Sequence, residues 1–159
     1  MWGWFLEDQV VYSFLYTDYE QVIYAGIAFF NIESEAEFEN LAHLAQLKNN
    51  PVHGALRVNP DVDPKTHRHT TTGKRGNKFG VDHERAMDVF ARYGQSEWVK
   101  LSCIHIHIGS PVNTVEPYVL AITKTLDLID RLRHKGFNIQ SLIIGGGFGA
   151  DYVTNQAPL

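Results

Sequence analysis

The chain has 159 residues, of which 44% are hydrophobic and 20% are charged, and its formal net charge is −4. This composition fits one globular domain that can bury a hydrophobic core. Because the net charge is negative and no basic block stands out, the sequence argues against a nucleic-acid-binding protein.

The cysteine content and the N-terminal segment bear on location. The single cysteine, Cys103, cannot form an internal disulfide, and a thiol in an apolar segment favours a reducing compartment. Residues 1–6 are apolar, but they lack a basic leader and are interrupted by Glu7 and Asp8, unlike a signal peptide. No stretch approaches the roughly 18–20 apolar residues that span a bilayer. We therefore expect a cytoplasmic protein with no membrane contact.

The first elements in chain order are a strand, a helix and a second strand. Residues 27–32 form a continuous apolar run typical of a strand. Ser34, with Glu37 three residues later, predicts a capping box at the start of a helix. Residues 54–58 predict the next strand, and a long polar loop follows over residues 59–80. The buried stripe expected of the helix is Phe38, Leu41, Leu44 and Ala45.

A second helix and a third strand come next. Asp82 predicts the N-terminal cap of this helix, and Gly94 predicts its end. Residues 101–108 predict the third strand. The expected buried residues of the helix are Ala86, Val89, Phe90 and Tyr93.

A longer third helix then leads to the fourth strand. Thr114 predicts its start, Pro117 is tolerated in its first turn, and Gly136 predicts its end. Residues 141–144 predict the strand that follows. The buried stripe expected of this helix is Tyr118, Val119, Ile122, Leu126 and Ile129.

Strands that alternate with helices predict an α/β fold with a parallel sheet, whose functional groups lie at the carboxyl ends of the strands. Residues 1–26 do not fit the alternation and are interpreted as an atypical N-terminal lead-in, with the barrel domain over residues 27–159. A complete eight-unit (β/α) barrel needs roughly 250 residues. The sequence therefore predicts a partial TIM barrel that lacks first and last strands.

Four glycines follow the fourth strand within five residues: Gly145, Gly146, Gly147 and Gly149. Glycine destabilises strands and helices, so a cluster indicates a special requirement. One such requirement is the close approach of a bound anion, with backbone N–H groups pointing at it. The cluster favours a phosphate site, with a plain strand exit as the alternative.

Two histidines are expected to point into the barrel from the third strand. A period of two places Leu101, Cys103, His105 and His107 on one face, opposite the isoleucines. Hydrogen-bonded core histidines are one alternative. A metal site is another, since His-x-His on a strand can place two imidazoles on one divalent ion.

Further polar groups lie near the same strand ends. Gly109 and Ser110 offer a backbone amide and a hydroxyl to an anion, and Asp61 and Asp151 are the available carboxylates for a metal. In the second strand, Arg57 shares a face with Ala55 and Asn59. A buried arginine needs an anion, so Arg57 predicts either a ligand contact or an ion pair with a neighbouring carboxylate.

Five motifs occur in the order and at the spacing of a known family: residues 31–35, 57–67, 72–80, 105–110 and 145–149. Together they resemble the barrel domain of the diaminopimelate decarboxylase family, over roughly residues 27–152. This family belongs to the pyridoxal-phosphate-dependent decarboxylases with an alanine-racemase-like barrel. The resemblance implies the cofactor pyridoxal 5'-phosphate, no metal, a small amino-acid substrate and a homodimer.

The resemblance also implies roles for individual residues. They are His107 against the face of the pyridine ring, Arg57 at the ring side, and Ser110 with the backbone of Gly145, Gly146 and Gly147 around the phosphate. His107 and Arg57 are thereby the catalytic candidates. In the family, the cofactor acts as the electron sink when meso-2,6-diaminopimelate loses carbon dioxide to give L-lysine.

Three family features have no counterpart in this sequence. The Schiff-base lysine in an Ala-x-Lys-Ala-Asn-like sequence, the Glu-Pro-Gly-Arg-like segment and the C-terminal β-domain are not found. We therefore expect an internal fragment that is inactive alone. The alternatives are a non-catalytic phosphate-binding remnant that pairs with a full-length paralogue, another amino-acid decarboxylase of the group, and a metal-dependent barrel hydrolase that uses His105 and His107.

Overall fold

The computed structural model describes residues 5–6, 9–12, 23, 26–63 and 79–149. The motif residues between Lys65 and Lys78 and the metal candidate Asp151 lie outside the described residues. In chain order the elements are β1 (Phe5–Leu6), β2 (Gln9–Tyr12), β3 (Phe29–Ile32), α1 (Glu35–Leu47), β4 (Val52–Asn59), β5 (Val81–Asp82), α2 (His83–Tyr93), β6 (Val99–Ile106), α3 (Glu116–His134) and β7 (Ser141–Ile144).

The strands form one sheet in the order β1-β2-β3-β4-β6-β7, with β5 paired to β4. β1 is antiparallel to β2, and the other pairings are parallel. Helices α1, α2 and α3 connect successive parallel strands, which is the alternation of a β/α barrel. The predicted α/β class with a parallel sheet is confirmed.

The sheet extends upstream of the predicted start of the barrel. Val11 in β2 lies opposite Phe29 in β3, in a parallel pairing. The division of the chain into residues 1–26 and residues 27–159 stays a prediction. Within the described ranges, no helix is long and apolar enough to cross a bilayer.

The predicted caps of α1 and α2 are confirmed. The Ser34 hydroxyl accepts from the N–H of Glu37 at 3.2 Å, and the Asp82 carboxylate accepts from the N–H of Arg85 at 2.8 Å. The Glu37 carboxylate accepts in return from the N–H of Glu33 at 2.7 Å, one residue before the cap. The side chains of Ser34 and Asp82 each satisfy an N–H that the first helical turn leaves without a partner, so both helices begin where the local sequence predicts.

The predicted start of α3 is wrong by two residues. Thr114 does not cap this helix, which begins at Glu116 with Val115 at the N-cap and no side-chain cap hydrogen bond. Pro117 lies in the first turn, as predicted. Because proline lacks an N–H and is pre-set for helical geometry there, the helix starts without a polar cap.

The buried face of α3 is also displaced from the predicted stripe. Tyr118 and Ile129 are buried as expected, but Val119 is 55% exposed and Leu126 is 48% exposed. The residues that α3 buries are Pro117, Tyr118, Ala121, Thr125, Leu128, Ile129 and Leu132. The Thr125 hydroxyl, at the centre of this face, donates to the Ala121 carbonyl at 2.7 Å, so it is satisfied within the helix.

The third predicted strand, β6, runs from Val99 to Ile106, which is two residues earlier than the predicted residues 101–108. Its pairing with β4 changes register between Gly54 and Ala55, where Leu101 and Cys103 are the successive partners. This irregularity interrupts the alternation of faces. Leu101 therefore joins the hydrophobic core with the isoleucines, instead of sharing the face of the histidines. The fourth predicted strand, β7, has the predicted bounds.

Candidate functional site

The carboxyl ends of β6 and β7 meet at His107 and Gly145. The N–H of Gly145 donates to the carbonyl of Ile106 at 2.7 Å, which extends the pairing just past β7. A Cβ atom at position 145 would overlap Nδ1 of the His107 ring and lie 2.9 Å from its Cβ. Gly145 is therefore a position of close approach, and its amide is already used within the sheet.

The loop after His107 lies against the glycine turn, by which we mean residues 145–149. The N–H of Val112 donates to the carbonyl of Gly147 at 2.8 Å, and the N–H of Gly149 donates to the carbonyl of Val112 at 2.9 Å. Gly147 has a positive φ of 101°, and a Cβ there would overlap the Gly109 carbonyl and lie 3.2 Å from Ser110 Cβ. Glycine is required here for both reasons.

The structure thus brings together the residues that the family resemblance assigns to the cofactor: His107, Ser110 and the backbone of Gly145, Gly146 and Gly147. We call Ser110 and these three glycines the cradle. Within the described residues, the amides of Gly146 and Gly147 donate no hydrogen bond, and Ser110 is exposed. Two amides and one hydroxyl are therefore available where two strands end. The part that each residue plays stays a prediction.

Arg57 lies on the neighbouring strand and has a protein partner. Its Nη1 is 2.5 Å from Oε1 of Glu33, and the two side chains are 11% and 23% exposed. The ring of Phe79 lies over the guanidinium, 5.2 Å from centroid to Cζ. The ion pair that the sequence left open is present, with a partner that sequence reasoning did not name. The signal available was the acidic residue that directly follows β3.

The two histidines beside Arg57 are neutral at pH 7. Burial, followed by the positive charge of Arg57 and by His107, lowers the pKa of His105 to about 3. Burial and Arg57 also lower the pKa of His107, an effect that Glu33 partly offsets. Burial raises the pKa of the Cys103 thiol to about 12, so this cysteine is not a thiolate.

The metal hypothesis gains no support from the part of the chain that is described. There, no group of three His, Cys, Asp or Glu side chains could hold a metal ion. The candidate Asp61 instead lies at the turn after β4, where its carbonyl accepts from Nζ of Lys124 at 2.8 Å.

The fold and the site define an α/β-barrel domain in which a glycine-rich turn and a histidine lie together at the carboxyl ends of adjacent parallel strands. Residues 7–159 match the model of a family described as pyridoxal-dependent decarboxylase, pyridoxal binding domain. The chain belongs to this family.

Named relatives are consistent with this membership. The chain is 38% identical to the diaminopimelate decarboxylase of Pseudomonas aeruginosa, over 89% of this chain and 34% of that protein. The crystal structure of diaminopimelate decarboxylase from Helicobacter pylori, complexed with L-lysine, matches with a TM-score of 0.86 and 30% identity, over 92% of this chain and 38% of that one. The chain spans about a third of the length of the curated relatives that it matches.

A more distant structure shows the breadth of the fold. Alanine racemase from Clostridium difficile 630, in complex with cycloserine, matches with a TM-score of 0.64 at 11% identity, over 83% of this chain and 33% of that one. At this identity the likeness concerns the fold alone. It agrees with the alanine-racemase-like barrel that the family resemblance implies.

Proposed function

We propose that this chain binds pyridoxal phosphate at the ends of β6 and β7, as the cofactor-binding part of a diaminopimelate decarboxylase. The observation that carries the proposal is the convergence of His107, Ser110 and the glycine turn at one edge of the sheet. The family match and the names of the relatives support the same assignment.

The phosphate end of the cofactor fits the cradle. The amides of Gly146 and Gly147 and the hydroxyl of Ser110 are among the donors that have no acceptor within the described residues. Oriented backbone N–H groups are a common binding site for phosphate. Because a Cβ at position 147 would overlap the Gly109 carbonyl, only glycine allows the two loops to lie this close.

The ring end of the cofactor fits the side chains next to the cradle. A neutral His107 presents a flat, uncharged face, because burial and Arg57 hold its pKa below the ordinary value. Arg57 keeps a positive charge on this side of the sheet, and its ion pair with Glu33 fixes the guanidinium. When bound, pyridoxal phosphate supplies the electron sink that an amino acid needs to lose carbon dioxide.

None of the described lysines lies at the carboxyl end of a strand, where the family resemblance would place the lysine that bears the cofactor. Lys48 ends α1, Lys100 is exposed near the start of β6, and Lys124 and Lys135 belong to α3 or its end. We propose that this chain alone binds the cofactor without turnover, and that meso-diaminopimelate is the substrate of the whole protein. The homodimer and the cytoplasmic location stay predictions from the sequence.

The test is a binding titration with the purified chain. Cofactor fluorescence gives the Kd for pyridoxal phosphate, and competition gives the Kd for inorganic phosphate. We expect measurable binding of both ligands, and we expect Ser110→Ala to weaken both by roughly 10- to 100-fold, since a hydrogen bond to a charged group contributes roughly 1.5–3 kcal/mol. Carbon dioxide release from meso-diaminopimelate is expected to stay at background.

Thr114→Ala is the matched control, because it removes an exposed hydroxyl four residues along the same loop. It should leave both affinities unchanged. A chain that binds neither ligand, or a Ser110→Ala variant that binds both as wild type does, contradicts the proposal.

A further inference from the structure

His105 lies on the face of β6 that is opposite the hydrophobic core. Its neighbours in the chain, Ile104 and Ile106, are both fully buried in the core cluster. His105 lies in register with Arg57 on β4, two residues before His107 on the same strand. His105 therefore lies on the same face of the sheet as His107, whose imidazole is assigned to the cofactor ring.

The two ring nitrogens of His105 have different surroundings. Nδ1 is buried and has no hydrogen-bond partner. Nε2 makes no hydrogen bond within the described residues, yet it is not among their buried unpartnered atoms. It is therefore accessible to solvent. Among the buried side-chain nitrogen and oxygen atoms of the described residues, only two others have no hydrogen-bond partner, Asn31 Oδ1 and His83 Nε2.

This asymmetry selects a tautomer. A neutral imidazole carries one N–H, on either nitrogen. A proton on Nδ1 would be a buried donor without an acceptor, which is the rarer and less favourable kind of unpaired group. The proton therefore belongs on Nε2, where it points an N–H donor into the accessible space beside the Arg57 guanidinium.

We infer that His105 donates this hydrogen bond to an anionic oxygen at the ring end of bound pyridoxal phosphate, an inference that rests on the proposed function. An N–H donor next to a guanidinium favours an oxyanion. The ring end is the partner because Ser110 and the glycine turn, which would take the phosphate, lie beyond His107 along the chain.

Three variants of His105 separate the two nitrogens. His105→Leu removes both, His105→Asn keeps polar atoms near the position of Nδ1, and His105→Gln keeps an N–H donor near the position of Nε2. We expect the Leu and Asn variants to raise the Kd for pyridoxal phosphate by roughly 10- to 100-fold, the range of one hydrogen bond to a charged group. The Gln variant should bind as wild type does. The Kd for inorganic phosphate should not change in any of the three.

A spectroscopic readout identifies the atom on the ligand. The absorbance of the bound cofactor reports ionisation of its ring oxygen, and a donor to that oxygen stabilises the ionised form. In His105→Leu the ring oxygen should therefore titrate at a higher pH than in wild type. His43→Leu, on the exposed face of α1, is the control for loss of an imidazole.

The outcomes are distinguishable from failure of the proposed function. A wild-type chain that binds neither pyridoxal phosphate nor inorganic phosphate refutes the proposed function itself. A wild-type chain that binds both, with a His105→Leu variant of equal affinity and unchanged absorbance, overturns the inference alone. Retention of affinity by the Asn variant and its loss in the Gln variant overturns it too, because Nδ1 would then be the contact.

Discussion

The buried imidazole of His105 should make the folded chain sensitive to acid. Its pKa is about 3 in the folded protein and 6.5 in an exposed chain, because burial, Arg57 and His107 disfavour the charged ring. Between these values the unfolded chain binds a proton that the folded chain does not. The free energy of unfolding therefore rises with pH over this window. The contribution from neutral His105 is fully present above pH 6.5 and is lost as the pH falls toward 3.

The magnitude follows from the width of the window. Each unit of pKa difference corresponds to about 1.4 kcal/mol. The His105 imidazole should therefore lower the free energy of unfolding by about 2 kcal/mol between pH 6.5 and pH 5. His105→Leu removes this dependence. It also removes the unpartnered Nδ1, which costs roughly 1–3 kcal/mol, so the variant should be more stable than wild type at pH 7.

Urea unfolding at several values between pH 7 and pH 5, followed by circular dichroism, measures both effects. The wild-type free energy of unfolding should fall more steeply than that of His105→Leu, by about 2 kcal/mol at pH 5. His107 and His83 also have lowered pKa values, but they are present in both proteins. Parallel pH profiles of the two proteins would refute the reasoning. His43→Leu, which removes an exposed imidazole, should follow the wild-type profile.

Three further predictions concern the cradle, the ion pair and a helix cap. Gly147→Ala should destabilise the chain by more than Gly136→Ala in urea unfolding: both need a positive φ, which costs about 1–2 kcal/mol, but only position 147 also meets a carbonyl. Equal losses would contradict the close approach. Arg57→Met should lower the free energy of unfolding by about 2 kcal/mol, because it leaves the partly buried Glu33 carboxylate without its charged partner. An unchanged urea midpoint would show that the ion pair does not stabilise the fold. Ser34→Ala should lower the free energy of unfolding by about 1 kcal/mol and therefore lower the thermal unfolding temperature. Thr114→Ala should leave that temperature unchanged, because Thr114 caps no helix. Equal effects of these two would contradict the assignment of caps.

Local signals in the sequence were sufficient for several elements. Ser34 and Asp82 fix the starts of α1 and α2 because their side chains satisfy N–H groups only three residues away. The four residues of β7 have the predicted bounds because an apolar run ends abruptly in glycines. The convergence of His107, Ser110 and the glycine turn could also be anticipated, because parallel strands deliver the residues that follow them to the same edge of a sheet.

Other features depend on contacts that no local pattern specifies. The irregularity near Gly54 reassigns Leu101 to the core, and it arises from the pairing of two strands about 50 residues apart. The exposure of Val119 on α3 depends on how the helix is rotated against the sheet. A hydrophobic stripe defines such a rotation only approximately, because apolar residues also occur on its flank.

The sequence by itself determined the class of fold, the alternation of strands and helices from β3 onward apart from β5, and which residues lie together at the ends of β6 and β7. These features depend on short-range patterning and on the direction of parallel strands. Only the tertiary structure decided that Glu33 pairs with Arg57, that the Gly145 amide is already used within the sheet, and that His105 buries an unpartnered nitrogen. These properties are set by which side chains meet across neighbouring strands. Strand register and burial select those side chains, and both are properties of the assembled sheet and not of any single segment.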